Sequence, residues 1–137
     1  MSAVYRMLWL FIGLNGATFV GLSAYASHAS HFIDNPQLLT VFESASNQHA
    51  IHLLALLVLA SLSFLIRSRW LLVSAGFFTL GIVLFSFTLY LFSFTGVKIA
   101  GFLTPVGGVC FMLGWFSLIG IAWGEKQSVN ATERLNE

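Results

Sequence analysis

The side chains of this chain best equipped for chemistry are its four histidines, His28, His31, His49 and His52, and the carboxylate of Glu43 that falls between them. His49 and His52 are three residues apart, so on a helix they are neighbours on one face. Gln48 stands four residues before His52, where it can orient that ring. Imidazoles at this spacing beside a carboxylate can hold a metal ion. They can also serve as axial ligands of a haem, titrate together as a pH-responsive cluster, or simply satisfy one another as a structural hydrogen-bond network. A metal or haem site lacks a second H-x-x-H or E-x-x-H partner in the sequence. The network is therefore the expectation, with no metal ligands and no cofactor assigned.

These residues sit where VFESASNQHAIHLLALL passes from polar to apolar without a helix breaker. A carboxylate, two amides and two imidazoles are costly at a boundary between water and lipid, and need partners there. The elements that position them follow from composition. The 137 residues are 58% hydrophobic and only 8% charged, with a mean hydropathy of +0.88. A soluble domain carries about 25% charged residues, so this chain cannot cover a water-facing surface, and it is long enough for one domain only. The net charge of +1 and the lack of a basic stripe exclude a nucleic-acid partner. Cys110, the single cysteine, lies in an apolar run and reads as a small packing residue.

Four stretches without Asp, Glu, Lys or Arg separate Arg6 from Asp34, Glu43 from Arg67, Arg69 from Lys98, and Lys98 from Glu125. Each holds the roughly 20 residues that cross a bilayer. The expected fold is all-α, a four-helix transmembrane bundle with helices near 7–28, 48–66, 70–94 and 100–123. Residues 1–124 form the membrane domain and 125–137 a polar cytoplasmic tail without regular structure. Asp34-Asn35-Pro36 marks a helix start, with Asn35 as cap. The amphipathic segment after it predicts a short interfacial helix between spans one and two, bending into the second span near Gln48. Arg6, Arg67, Arg69, Lys126 and Arg134 fall at one end of such a bundle and Lys98 at the other, which places both termini in the cytoplasm. The first span is expected to remain uncleaved, although Ala24-Tyr25-Ala26 has the form of a signal-peptidase site.

Small residues predict how the helices meet, because they let backbones approach closely in lipid. Gly13, Ala17 and Gly21 form a stripe on the first helix that ends at His28, which should therefore point into the bundle. Gly107, Gly108 and Gly114 do the same on the fourth. Antiparallel spans then bring His28, His52, Tyr90 and Thr104 to one level. The expectation is a single polar cluster of His28, Glu43, His49, His52, Tyr90 and Thr104 at the outer boundary, with His31 outside it in a loop.

The segment FESASNQHAIHLLALL resembles the FETAxxYHMxHALALL-type segment of the YgdD-like small inner-membrane proteins (domain of unknown function 423). SAYASHA is similar to their GAFGAHG. GIVLFSFTLYLFSFTGVKIAGFLTPVGGVCFMLGW is similar to their run FS-x-x-LY…TG…TP-x-GG…GW. The likeness is collinear over about residues 13–120. The recurrent positions fall on His28, Phe42, Glu43, His49, His52, Phe85, Ser86, Leu89, Tyr90, Thr104, Pro105, Gly107, Gly108, Gly114 and Trp115. The chain departs from the pattern at Ser27, Ala29, Asn47, Gln48 and Phe87. The resemblance implies a four-helix membrane protein of the bacterial cytoplasmic membrane and carries no reaction with it.

Three functions fit this reading. The first is a non-enzymatic structural or accessory membrane protein, bound to the lipid bilayer and to a larger complex or further copies of itself. The sequence holds no nucleotide motif and no nucleophile placed with a base. The second is a small oligomeric transporter or channel, against which stands the lack of a mid-membrane charge or inverted repeat. The third is a metal-, haem- or quinone-binding redox accessory using the histidines. The first is the expectation.

Overall fold

The computed structural model describes the backbone of residues 3–66, 68–98 and 101–135, and the side chains among them up to residue 122. The expectations placed on Arg67, Lys126 and Arg134 lie outside the described side chains. The described residues are helical apart from short turns, and four helical segments are long and apolar enough to cross a membrane: Ala3–His28, Pro36–Leu62, Arg69–Thr95 and Leu103–Ala122. The chain is an all-α, four-span membrane protein.

Helix α1 (Ala3–His28) is followed by a short helix α2 (Ser30–Asp34) and then α3 (Pro36–Leu62). The third span consists of α4 (Arg69–Gly81), a π turn (Ile82–Ser86) and α5 (Phe87–Thr95). Helix α6 (Leu103–Leu135) forms the fourth span. Consecutive spans are antiparallel. Trp9 meets Phe64 at the end that holds the N-terminus, the near end, while Tyr25 meets Phe94 at the opposite, far end. Helix α3 occupies the middle, with α1 on one side and the third span on the other. Helix α6 packs along α4 and the π turn and diverges from α5 towards the far end.

Rings seated on glycines hold the third span to α6. A methyl group added at Gly81 would collide with Phe111, at Gly114 with Phe78, and at Gly120 with Trp70. At Gly107 it would strike the backbone nitrogen of Phe85 inside the π turn, and Gly108 lies in ordinary contact with the same ring. The π turn matters for the site. An α-helix advances about 100° per residue, so on a regular helix Tyr90 would stand about 80° from Ile82 and off the buried face set by Leu71, Ala75, Phe78 and Ile82. The wider turn, closed by the Phe87 amide on the Ile82 carbonyl, swings Tyr90 into the interior, where Ser86 and Ser93 are buried as well.

Several expectations change here. The interfacial helix is Ser30–Asp34, and residues 36–47 are the straight beginning of α3, because nothing between Pro36 and Gln48 breaks a helix. Asn35 holds the N-cap position of α3, its carbonyl accepting from Leu38 and Leu39, but its side chain makes no capping bond there; the amide donates to the His31 carbonyl (3.0 Å) and closes α2 instead. Pro105 lies in the first turn of α6, where no amide hydrogen is needed, so it starts the helix without kinking it. The helical backbone of α6 continues past the span to Leu135, where an irregular tail was expected.

The stripe on α1 faces the other way from the expectation. Gly13, Ala17, Gly21 and His28 are exposed, and a methyl group at Gly13 or Gly21 would meet nothing within 4 Å. The face turned to α3 carries Ile12, Asn15 and Phe19. Small residues permit a close approach without compelling one; here the larger contact, a ring against an imidazole and a sheltered amide, decides the face. Three polar side chains of α1 donate within their own helix: the Asn15 amide to the Phe11 carbonyl, the Thr18 hydroxyl to that of Leu14 and the Ser27 hydroxyl to that of Ser23, each at 2.9 Å.

Candidate functional site

The second histidine of the H-x-x-H pair is the most constrained polar residue in the protein's interior. The His52 ring stacks on Phe111 of α6, with centroids 3.5 Å apart and planes within 9°. The indole Nε1–H of Trp115 donates to its Nε2 (3.1 Å). An indole only donates, so Nε2 must carry a lone pair, and the ring proton sits on Nδ1. Nδ1–H then donates to the carbonyl of Gln48 one turn back (2.8 Å). Gln48 does orient this ring, but through its backbone. The result is a neutral imidazole of one tautomer, clamping α3 to α6.

His49 points towards the third span. It is fully buried, with edge contacts to Phe19 of α1 and Phe87 of α5. The Tyr90 hydroxyl donates to Ser46 Oγ (3.2 Å), so it accepts from His49 Nδ1–H (3.2 Å). His49 Nε2 has no protein partner, and neither has the buried Ser86 hydroxyl one turn from Tyr90. His31 reaches across the far end and donates through Nε2 to the Ser93 carbonyl (3.0 Å). Thr104 donates to Thr88 (2.9 Å), whose own hydroxyl proton is spent on the Leu84 carbonyl (2.6 Å) beside the π turn.

The single cluster expected from the sequence is therefore three separate sets of contacts: His49–Tyr90–Ser46, His52–Trp115, and Thr88–Thr104. His28 joins none of them. It is exposed at the end of α1, while His31, expected in a loop, is the histidine that ties α2 to α5. Glu43 is also exposed and hydrogen-bonds to no imidazole; it faces a cleft of about 600 Å³ between α1, α2 and α3. Among the described residues no group of three or more His, Cys, Asp or Glu is placed to hold a metal ion. Sequence reasoning missed Trp115, Phe111, Ser46 and His31 as partners. Trp115 alone gave a signal, since an indole N–H within an apolar span has to find an acceptor.

Comparison with known proteins agrees with this architecture. A family model described as "Protein of unknown function (DUF423)" matches residues 22–108. The chain is 35% identical to the UPF0382 membrane protein SAB0533 of Staphylococcus aureus, over 82% of this chain and 92% of that protein. It is 34% identical to the UPF0382 inner membrane protein YgdD of Escherichia coli, over 91% and 96%. It is also 34% identical to the UPF0382 membrane protein YwdK of Bacillus subtilis, over 77% and 87%. No solved structure matches. With the family model running from the last turns of α1 through the second and third spans to the start of α6, and relatives matched over most of their length, the chain belongs to the DUF423 family of membrane proteins.

Proposed function

We propose that this is a non-enzymatic accessory protein of the bacterial cytoplasmic membrane, with both termini in the cytoplasm, that works as part of a larger membrane complex or as a homo-oligomer. The observation that carries the reading is His52. Both of its nitrogens are spent on Trp115 and Gln48 and its face is covered by Phe111, so the most chemically able residue of the H-x-x-H pair acts as a clamp between helices. Thr104 and Thr88 are committed in the same way to the join between the π turn and α6. The outward stripe of Gly13, Ala17 and Gly21 supports the partnered state, since exposed small residues are the surface on which helices associate in lipid.

The test is isolation of the tagged full chain in a mild detergent, with mass spectrometry of what comes with it and light scattering for its own stoichiometry. A reproducible membrane partner or a defined oligomer is the expected result. A monomer that carries stoichiometric metal, haem or quinone, or that moves solute across liposomes, would replace this reading with a redox or transport one.

A further inference from the structure

The far ends of α1 and α3 stand apart, and α2 lies across the gap. The cleft so formed, about 600 Å³, has two kinds of wall. Ala26, Phe32, Leu39 and Phe42 make it apolar on one side, while Glu43, Ser46 and Asn47 of α3 offer a carboxylate, a hydroxyl and an amide on the other. A volume of this order is that of a small-molecule site.

Depth and charge restrict what fits. Helix α3 has 27 residues, about 40 Å at 1.5 Å per residue, against a hydrocarbon layer of about 30 Å. The excess of about 10 Å, roughly seven residues, carries residues 36–42 beyond the hydrocarbon, so Glu43 stands at the edge of the headgroup layer with Ser46 and Asn47 just beneath it, where the cleft's apolar wall borders acyl chains. The sequence holds no Lys or Arg between Arg6 and Arg67, so neither α1, α2 nor α3 brings a permanent cation to Glu43. The titratable groups at the far end of α1 and in α2 are His28, His31 and Asp34, none of which lines the cleft; His31 is committed to the Ser93 carbonyl and Asp34 is itself acidic. Lys98 lies over the Phe92 ring in a different cleft, between α5 and α6. The charge that complements Glu43 is thus not supplied by the protein beside it.

Donors and acceptors narrow the ligand further. Ionised Glu43 only accepts, and suits an ammonium group. Ser46 Oγ accepts from Tyr90 and keeps its own proton to give, and Asn47 offers an amide; both suit oxygens close to that ammonium. We propose that this cleft binds the headgroup of an ammonium-bearing phospholipid from the far-end leaflet, Glu43 taking the ammonium, Ser46 and Asn47 the phosphate oxygens, and the apolar wall the start of an acyl chain. Ser46 also links the cleft to the interior through Tyr90 and His49, so occupancy is felt by the buried network. The lipid's leaflet, but not its binding, rests on the orientation proposed above, and the partner experiment can fail without touching this one.

The experiment uses the purified full chain in non-ionic detergent, titrated with phosphatidylethanolamine, phosphatidylglycerol or free phosphoethanolamine and followed by native mass spectrometry. Phosphatidylethanolamine should bind about tenfold more tightly than phosphatidylglycerol, the scale of one charge-assisted hydrogen bond. Glu43→Gln should abolish that preference and Asn47→Ala should weaken the binding of both lipids alike, whereas Lys98→Gln should leave both binding and preference intact. Glu43 is exposed, so its variant reads binding and not folding. Equal binding of the two lipids, an unchanged preference in Glu43→Gln, or free phosphoethanolamine binding as tightly as the lipid would each overturn the proposal.

Discussion

Two imidazoles one helical turn apart meet opposite conditions. His52 has both nitrogens bonded and a ring stacked on its face, whereas His49 is equally buried with one nitrogen bonded and the other alone. Interhelical hydrogen bonds in lipid are worth about 0.6–2 kcal/mol, and His52 adds ring packing to its bond with Trp115. His52→Leu should therefore lower unfolding stability in detergent by about 1–2 kcal/mol, and Trp115→Phe by less, since it keeps the ring and loses only the donor. The order of the other two histidines reverses what their positions suggest. His31→Leu removes a tie to the Ser93 carbonyl, while His28→Leu changes an exposed residue, so thermal denaturation should find His28→Leu near wild type and His31→Leu below it. That His49 and Tyr90 share a level was legible, because antiparallel spans fix depth. Which histidine turned inward was not, because it depended on the face by which α1 docks, and small residues do not choose a face.

At the scale of elements, the join between the third span and α6 is a series of rings on glycines, of which Gly107, Gly108 and Gly114 were legible as a small-residue stripe and Gly81 and Gly120 were not. Their partners were not, since aromatic residues occur on every face of the third span. Gly107 is the most demanding, because its neighbour is backbone and cannot swing aside. Gly107→Ala should cost about 1–3 kcal/mol, the range for forced overpacking, while Gly13→Ala, which meets nothing within its own bundle, should leave the stability of the single chain unchanged; thermal melts of both variants as dispersed single chains in one detergent would compare them directly. The π turn left no mark in IVLFS, which reads as ordinary apolar helix. It can be tested by two changes of length. Deleting Leu84 turns the Phe87–Ile82 bond from one spanning five residues into one spanning four, the α-helical spacing, so Tyr90 and Ser93 keep their orientation. Adding an alanine after Ser86 instead turns everything after it by about 100°, carrying Tyr90 away from His49 and Ser93 away from His31. The lengthened chain should enter the membrane normally yet lose stability as far as a variant lacking both contacts, and the shortened one should not; equal stability of the two would mean that the turn sets no register.

For the whole molecule, four spans were legible from charge-free stretches alone, since composition leaves a chain this apolar no other solvent. The boundary of the second span was less so: the polar turns from Pro36 continue α3 directly, because helix hydrogen bonds are equally satisfied in water and in lipid. Fusion of a cytoplasm-active reporter behind the last described span should give signal, and a periplasm-active one should not, as expected from basic residues gathered at the near end. One feature of α1 bears on how such a molecule is made. Three of its polar side chains, Asn15, Thr18 and Ser27, donate to carbonyls one turn earlier in the same helix. At a synthesis rate of about 5–20 residues per second, α1 leaves the ribosome seconds before α3 is complete, and waits in the bilayer without its packing neighbour. A helix in which three polar side chains already donate to its own backbone can be released sideways from the translocation channel on its own, with assembly, and the burial of the Asn15 side-chain carbonyl oxygen, deferred until the central helix arrives.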